Sequence, residues 1–382
     1  MNAKVREQMS VDPGLEGIVV GQTRISDVDG ARGLLSYRGY GIEQLIEQPF
    51  AEVASLVALG KTVPALQTLL DEPPSLSERE RSLILNVPGD RSPMQVLQGM
   101  IPLLDNGDDQ LALLASDLDH IVPGADVPEG LLAEAARALC IASKAPEIVA
   151  THHARASVTS SQADYCMRFA EMIGVTEDKG ALIDAFRVMQ ILQLEHSFNA
   201  STFAARVIAS TLAPIENALS GAVGTLHGVL HGGADQAALE TADRVGTPAA
   251  AAEFVDQCLA DGTKVMGMGH REYKVLDPRA RYGKSLAQAV SAGTEHEQTF
   301  ATLAAIEARF TERMAERGKP LYANIEFYKG LIFRMLGLPP MYFTALFAMS
   351  RLFGYVAHVL ESRFDNRLIR PAAQYVGAVV AR

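Results

Sequence analysis

Tryptophan is absent from the 382 residues, and aromatic side chains make up only 6% of them. Cysteine is scarce. Cys140, Cys166 and Cys258 are odd in number and far apart, and no CxxC occurs. Neither a disulfide framework nor a zinc ribbon is therefore expected, and a reducing cytoplasm fits. Positive charge is also short: 34 Lys and Arg stand against 45 Asp and Glu, a formal net charge of −11. Such a chain repels nucleic acid and anionic membranes overall, so neither is expected as a partner. Any polyanionic ligand must be held in a local basic pocket. No Walker sequence, GxGxxG or strand–helix alternation appears, which argues against P-loop and Rossmann domains. No repeat of fixed period suggests a solenoid. The opening MNAKVREQMS lacks an apolar core, so no secretory signal is expected.

What remains is ordinary globular composition, 48% hydrophobic and 21% charged, long enough for a large core and more than one domain. The segment GIVVGQTRISDVDGARGLLSYRGY carries short β-branched runs around the turn former Asp29-Gly30, which predicts a small hairpin. Beyond it the chain reads as helical. FAEVASLVALG, MQVLQGMIPLL, GLLAEAARALCIASKA, ALIDAFRVMQILQLEH, STFAARVIASTLAPIENALSGAVG and FTALFAMSRLFGYVAHVLESR place apolar residues near i, i+3, i+4 and i+7. The run from Pro339 is long enough to cross a bilayer, but Arg351 sits at its centre, so a buried helix of a soluble protein is expected. Glycine-rich turns cluster at LHGGAD, RVGTPAA and GMGH. A smaller domain over 222–327, inserted between the parts 1–221 and 328–382 of a larger helical one, accounts for that layout.

Five of the nine histidines, His120, His152, His153, His296 and His358, have no readable partners and are expected at the surface or as satisfied core groups. The other four stand out. His196 is expected to close a long apolar helix, in QLEHSFNAST, His227 and His231 lie in TLHGVLHGGAD, and His270 lies in MGMGHREYK. Adjacent glycines let the backbone come close to a ligand. His227, His231 and Asp235, spaced i, i+4, i+8, would share a helix face like a metal site, but Gly228, Gly232 and Gly233 interrupt that helix. Organic acid–base chemistry is the better reading, and no metal is expected. Arginine supports it. HREYKVLDPRARYGK is basic within an acidic chain, and Asp277-Pro278-Arg279 reads as N-cap, N1 and N2 of a helix, a place that prefers anions. Arg351 lies on an apolar face and needs a buried partner or a bound anion. Arg363, Arg367 and Arg370 follow closely. Several arginines with histidines suggest a small substrate carrying more than one carboxylate. Glu326 is the only charge in LYANIEFY, either a solvated surface group or a chemical tool.

LEHSFNASTFAARVIAST, LHGGADQAAL, GHREYKVLDPRARYGK, NIEFYKGLIFRMLGLP, FAMSRLFGYVAHVLESR and LIRP, in this order, together with the N-terminal GLEGIVVGQTRISDVDGARGLLSYRGYGIEQL, resemble the citrate synthase family, from about Gly14 to Gly377. The resemblance implies an all-α two-domain fold with a small N-terminal β-hairpin, domains that close over the substrates, and a homodimer whose sites borrow partner residues. It implies condensation of acetyl-CoA with oxaloacetate, followed by thioester hydrolysis. No cofactor is permanently bound; the coenzyme A thioester is a co-substrate. Carried over by motif, His196, Arg279 and Arg351 bind oxaloacetate, and Arg370 reaches in from the other subunit. His270 binds oxaloacetate and donates a proton to its carbonyl. His231 hydrogen-bonds the thioester oxygen, and Glu326 is the general base. Lys264, Arg271 and Lys274 are candidates for the CoA phosphates. Two other readings stay open: a 2-methylcitrate synthase using propionyl-CoA, and a catalytically weakened family member acting as a binding or structural dimer.

Four positions depart from the family text. Glu326 replaces aspartate, Ala323 the proline of YPNVDFY, Val229 the proline of GPLHGG and Asp235 the asparagine of HGGAN. Asp and Glu differ by only about 0.4 in intrinsic pKa, so reach, not basicity, is the difficulty. One more methylene moves the carboxylate by about 1.5 Å. Loss of the proline at 323 is expected to let the backbone retreat and restore the distance.

Overall fold

A computed structural model describes residues 14–15, 17–105 and 129–378. His120 and the opening MNAKVREQMS lie outside the described residues.

The expected hairpin is present, with one more strand than the sequence suggests. β1 (Ser26–Asp29), β2 (Leu34–Tyr37) and the two-residue β3 (Tyr40–Gly41) form an antiparallel sheet in the order β1-β2-β3. Ser26 pairs with Tyr37 and Asp29 with Leu34. Asp29 closes the turn: its Oδ1 accepts the Ala31 and Arg32 amides at 3.1 and 2.8 Å. Those bonds and the Arg32 guanidinium hold its carboxyl below the usual range.

Helices make up most of the remainder. Those that build the site are α1 (Phe50–Leu59), α2 (Glu129–Ala154), α3 (Gly180–Gln193), α4 (Ala200–Ala209), α5 (Ile215–Leu226), α6 (Ala234–Val245), α7 (Pro278–Ser291), α8 (Glu297–Glu316), α9 (Glu326–Met335) and α10 (Phe343–Phe364). α10 is apolar on every side and buried from Phe343 to Val359, as a helix without a polar face must be. α1, α2, α3, α4 and α5 surround it. The most apolar 18-residue window of the bilayer-length stretch Pro340–Phe364 is 94% buried in protein, so its apolar surface is already covered. α6, α7 and α8 pack on α9.

Two expectations are corrected. STFAARVIASTLAPIENALSGAVG is not continuous. It breaks into α4 and α5 at Ser210–Pro214, where Leu212 takes φ +61° and Pro214 precedes the first turn of α5. Proline supplies no amide and keeps the residue before it out of helix. His196 does not close a helix. α3 ends at Gln193, and Ser197 beyond it has φ +52°, which turns the chain before Asn199 caps α4 through the Thr202 amide at 3.1 Å.

Candidate active site

The loop after α3 and the loop before α7 bring two histidines face to face. The His196 and His270 rings stand edge to face with centroids 5.3 Å apart. Tyr273 packs against both rings, its hydroxyl 3.2 Å from His196 Nε2. His270 Nδ1 accepts the backbone amides of Glu272 and Tyr273 at 3.0 and 3.2 Å. An acceptor Nδ1 fixes the neutral ring's proton on Nε2. Asp277 caps α7 as expected, accepting the Arg279 amide at 3.0 Å. It also holds the Arg279 side chain through two bonds, Nε to Oδ1 at 3.0 Å and an Nη to Oδ2 at 2.9 Å. Burial alone would raise the Asp277 carboxyl, yet this ion pair keeps it below the usual range. Burial pushes His270 down to about 4, with Arg279 adding to the effect. Burial, then Arg279, His270 and Arg351, pushes His196 well below its ordinary value. Both rings are therefore neutral at physiological pH, in a site of positive potential.

The hairpin braces both loops. Ser26 Oγ donates to Glu195 Oε1 at 3.1 Å and accepts the Ser197 amide at 3.0 Å. Gly30 O accepts the Lys274 amide at 2.8 Å.

Arg351, on α10, is 1% exposed. Its Nε donates to Gln193 O at 2.6 Å and its guanidinium lies 4.6 Å from the Phe347 ring centroid. Among the described residues it makes no ion pair. Burial lowers its proton affinity, partly offset by Tyr355 and Glu195. Beneath it His358 is a satisfied core histidine, 2.8 Å from Glu195 Oε1 and 3.0 Å from an Arg206 Nη.

His231 lies in the turn between α5 and α6. Gly232 there is required by packing, since a Cβ would meet Leu226 O at 2.4 Å. His231 Nε2 accepts the Ser201 amide at 3.3 Å and lies 2.7 Å from Ser201 Oγ. Tyr355 Oη donates to that same Oγ at 2.7 Å. The ring proton is thereby placed on Nδ1, leaving Nδ1–H as the donor. Burial, then Arg351 and Lys329, lowers His231 to about 4.

Glu326 opens α9 and is 9% exposed. The loop before it is sewn to the His270 loop: Gly269 N donates to Tyr322 O at 2.7 Å and Asn324 N to Gly267 O at 2.9 Å. Gly267 has φ +80°, and a Cβ there would meet Phe327 Cδ2 at 2.8 Å, so only glycine fits. Ala323, buried, sits between these bonds opposite Met268. The Glu326 Oε2 turns back to Lys329 Nζ at 2.7 Å, one turn along the same helix. Lys329 Nζ also donates to Gln193 Oε1 at 2.9 Å, lies 3.4 Å from Asp235 Oδ2 and stands 4.0 Å from the Phe347 ring centroid.

His196, His231, His270, Arg279, Arg351 and Glu326 thus form one connected cluster. Arg370 does not join it: it is exposed on the tail after α10. Lys264, Arg271 and Lys274 are exposed on the segment that carries His270, at the surface and not within the cluster. The i, i+4, i+8 metal arrangement does not form. His227 is exposed at the end of α5, 3.2 Å from Ser92 Oγ, while Asp235 is buried at the start of α6. Sequence reasoning missed Ser201, Tyr273, Tyr355 and Lys329. Only Lys329 carried a readable signal, its i+3 spacing from Glu326.

Residues 14–372 match the family model described as citrate synthase, C-terminal domain. A curated citrate synthase of Synechocystis sp. is 33% identical over 99% of this chain and 94% of its own. A 2-methylcitrate synthase of Shewanella oneidensis is 30% identical over 95% and 94%. A solved citrate synthase of Thermoplasma acidophilum, in ternary complex with carboxymethyl coenzyme A and oxaloacetate, superposes with TM-score 0.82 at 26% identity, covering 98% of each chain. The chain belongs to the citrate synthase family.

Proposed function

We propose that this protein condenses acetyl-CoA with oxaloacetate and hydrolyses the thioester product to citrate and coenzyme A. The observation that carries this reading is the cluster of His196, His270, Arg279 and Arg351, in which Arg351 is a buried cation with no ion pair among the described residues. A dicarboxylate that also bears a carbonyl suits such a site: the arginines take the carboxylates and His270 Nε2–H the carbonyl oxygen.

On the acyl side, Glu326 takes the α-proton. A thioester α-proton is too weakly acidic for a carboxylate alone, so the growing oxyanion needs a preorganised donor, worth about 3–4 kcal/mol. His231 Nδ1–H is that donor, its tautomer set by Ser201. The C–H electron pair passes into the enol, whose carbon attacks the oxaloacetate carbonyl as His270 delivers a proton to its oxygen. No permanently bound cofactor is required. Exclusion of water until condensation is complete requires closure of the 222–327 body on the remainder. The turns 227–233 and 317–325, flanking the helices at its two boundaries, are the places for that hinge. A homodimer in the cytoplasm, with Arg370 supplied across the interface and Lys264, Arg271 and Lys274 facing the CoA phosphates, completes the proposal.

The test is thiol release from purified protein given oxaloacetate and either acetyl-CoA or propionyl-CoA. Release with acetyl-CoA supports the reading. A preference for propionyl-CoA makes the protein a 2-methylcitrate synthase, a reading favoured by the comparable identity to both kinds of relative; one methylene is worth only about 1–3 kcal/mol. No release with either substrate refutes catalysis and leaves a binding or structural dimer.

A further inference from the structure

Lys329 is fully enclosed, and so is Asp235. One ammonium faces two carboxylates there: Glu326 Oε2 at 2.7 Å and Asp235 Oδ2 at 3.4 Å. Neither oxygen has an aligned hydrogen bond from any other group among the described residues. The aligned bond of the ammonium goes instead to Gln193 Oε1, at 2.9 Å. A purely structural buried cation needs one carboxylate; a second leaves the cluster with a net charge of −1.

Among the described residues no other cation is paired with either carboxylate. Asp277 accepts the Ile325 amide just ahead of α9, but it is already neutralised by Arg279. From α8, Glu307 is engaged with Tyr328 and Lys284. From α10, Arg351 shares the Phe347 ring with Lys329 and is a second cation nearby, but it bonds Gln193 O and forms no ion pair with Glu326 or Asp235. His231, in the turn before α6, feels the Lys329 charge and is neutral. Lys329 is thus the cation paired with the Glu326 carboxylate, and Asp235 is its alternative partner.

We propose that Lys329 and Asp235 are positioning residues for Glu326. The ammonium holds the long glutamate side chain folded over the first turn of α9. It transfers its pairing to Asp235 as the base takes up a proton. The inference rests on the reading of Glu326 as the base. The charges balance. The substrate C–H bond breaks, its proton goes to a Glu326 oxygen, and its electron pair goes to the enolate, whose oxygen accepts the His231 Nδ1–H hydrogen bond. Glu326 becomes neutral, the lysine–aspartate pair left behind is neutral too, and the one negative charge has moved from the carboxylate to the enolate oxygen beside His231. Asp235 is suited to a variable pairing: burial raises its carboxyl, Lys329 lowers it and Glu326 raises it, to about 6.

The experiment compares Lys329→Met, Asp235→Asn and the double variant with the wild-type protein, by thiol release from pH 5.5 to 9. Each single variant is expected to lose about a hundredfold in kcat, the scale of a misplaced reacting group, with KM for oxaloacetate within about twofold. The acid limb of kcat is expected to move to higher pH in Lys329→Met, where two carboxylates face each other. It is expected to move to lower pH in Asp235→Asn, where the ammonium is undivided. The double variant, with neither charge, is expected to recover at least tenfold over Lys329→Met. If Lys329→Met does not fold, Lys329→Gln takes its place. Wild-type kcat in either single variant, limb shifts in the same direction, or no recovery in the double variant would overturn the inference and leave the proposed reaction standing. A wild-type protein that releases no thiol overturns both.

Discussion

Replacing Arg351 with methionine separates a substrate-binding arginine from a structural one. The unliganded protein loses one hydrogen bond, from Nε to Gln193 O, and one contact with Phe347. Those are worth about 1 kcal/mol and about 1–2 kcal/mol respectively. Against them stands a 1% exposed charge with no ion pair, whose burial costs several kcal/mol. Methionine fills much of the same volume without that cost. Unliganded Arg351→Met is therefore expected to be as stable as the wild type, or more so. Oxaloacetate reverses the comparison. At about 100 times Kd it stabilises the wild type by about 2.7 kcal/mol, a rise in Tm of about 3 °C at roughly 1.2 °C per kcal/mol for a chain of this size. Two charge-assisted bonds at about 1.5–3 kcal/mol each imply a loss of about 10²- to 10⁴-fold in affinity without the guanidinium. Scanning calorimetry with and without oxaloacetate reads both effects. A variant that melts well below the wild type yet still gains the full shift with oxaloacetate would refute the reasoning.

Ser201→Ala is expected to lower kcat about tenfold, less than His231→Ala, because the Ser201 amide still fixes the histidine tautomer while one hydrogen bond is lost; steady-state thiol release checks the ranking. Acidification is expected to destabilise the fold through its histidines. His231 and His270 sit at about 4 in the folded protein, against about 6.5 when unfolded. The unfolded chain binds more protons between those values, so stability falls as pH drops from about 6.5 to about 4. Asp235, raised to about 6, acts in the opposite sense over the same range. The urea midpoint of His231→Gln/His270→Gln should fall less between pH 7 and pH 4.5 than that of the wild type. Gly267→Ala, which must hold φ +80° and push Phe327 aside, is expected to cost about 1–3 kcal/mol and to lower kcat, read by chemical denaturation and thiol release.

The parts of the molecule legible in the sequence are those governed by local pattern. The periodicity of α1 and α10 and the Asp-Pro-Arg start of α7 are set by neighbours in the chain, and the structure reproduces them. β3 was not legible because two residues carry no alternation. The break between α4 and α5 is marked by Pro214, but the apolar spacing on either side masks it. In the site, the histidines stood out through glycine neighbours and the arginines through their apolar setting. Lys329 did not, because a lysine three residues after a glutamate is an ordinary surface pair until α9 is packed on α6 and α10. Ser201 and Tyr355 meet across 154 residues, a distance no spacing rule spans.

The hairpin has a consequence for how the protein is made. Its strands leave the ribosome long before their partners do. Ser26 waits 169 residues for Glu195, and the Arg24 amide waits 337 residues for Glu361. The Gly30 carbonyl is met only by Lys274. During synthesis the hairpin is an unfinished edge, and a chaperone that shields apolar nascent segments has its longest task there. Contacts of such high sequence separation make folding slow. The histidine loops gain their brace only once Lys274 has been made, and Glu326 and Arg351 follow it in the chain, so the nascent chain has no assembled site to engage substrate before all of them have been synthesised.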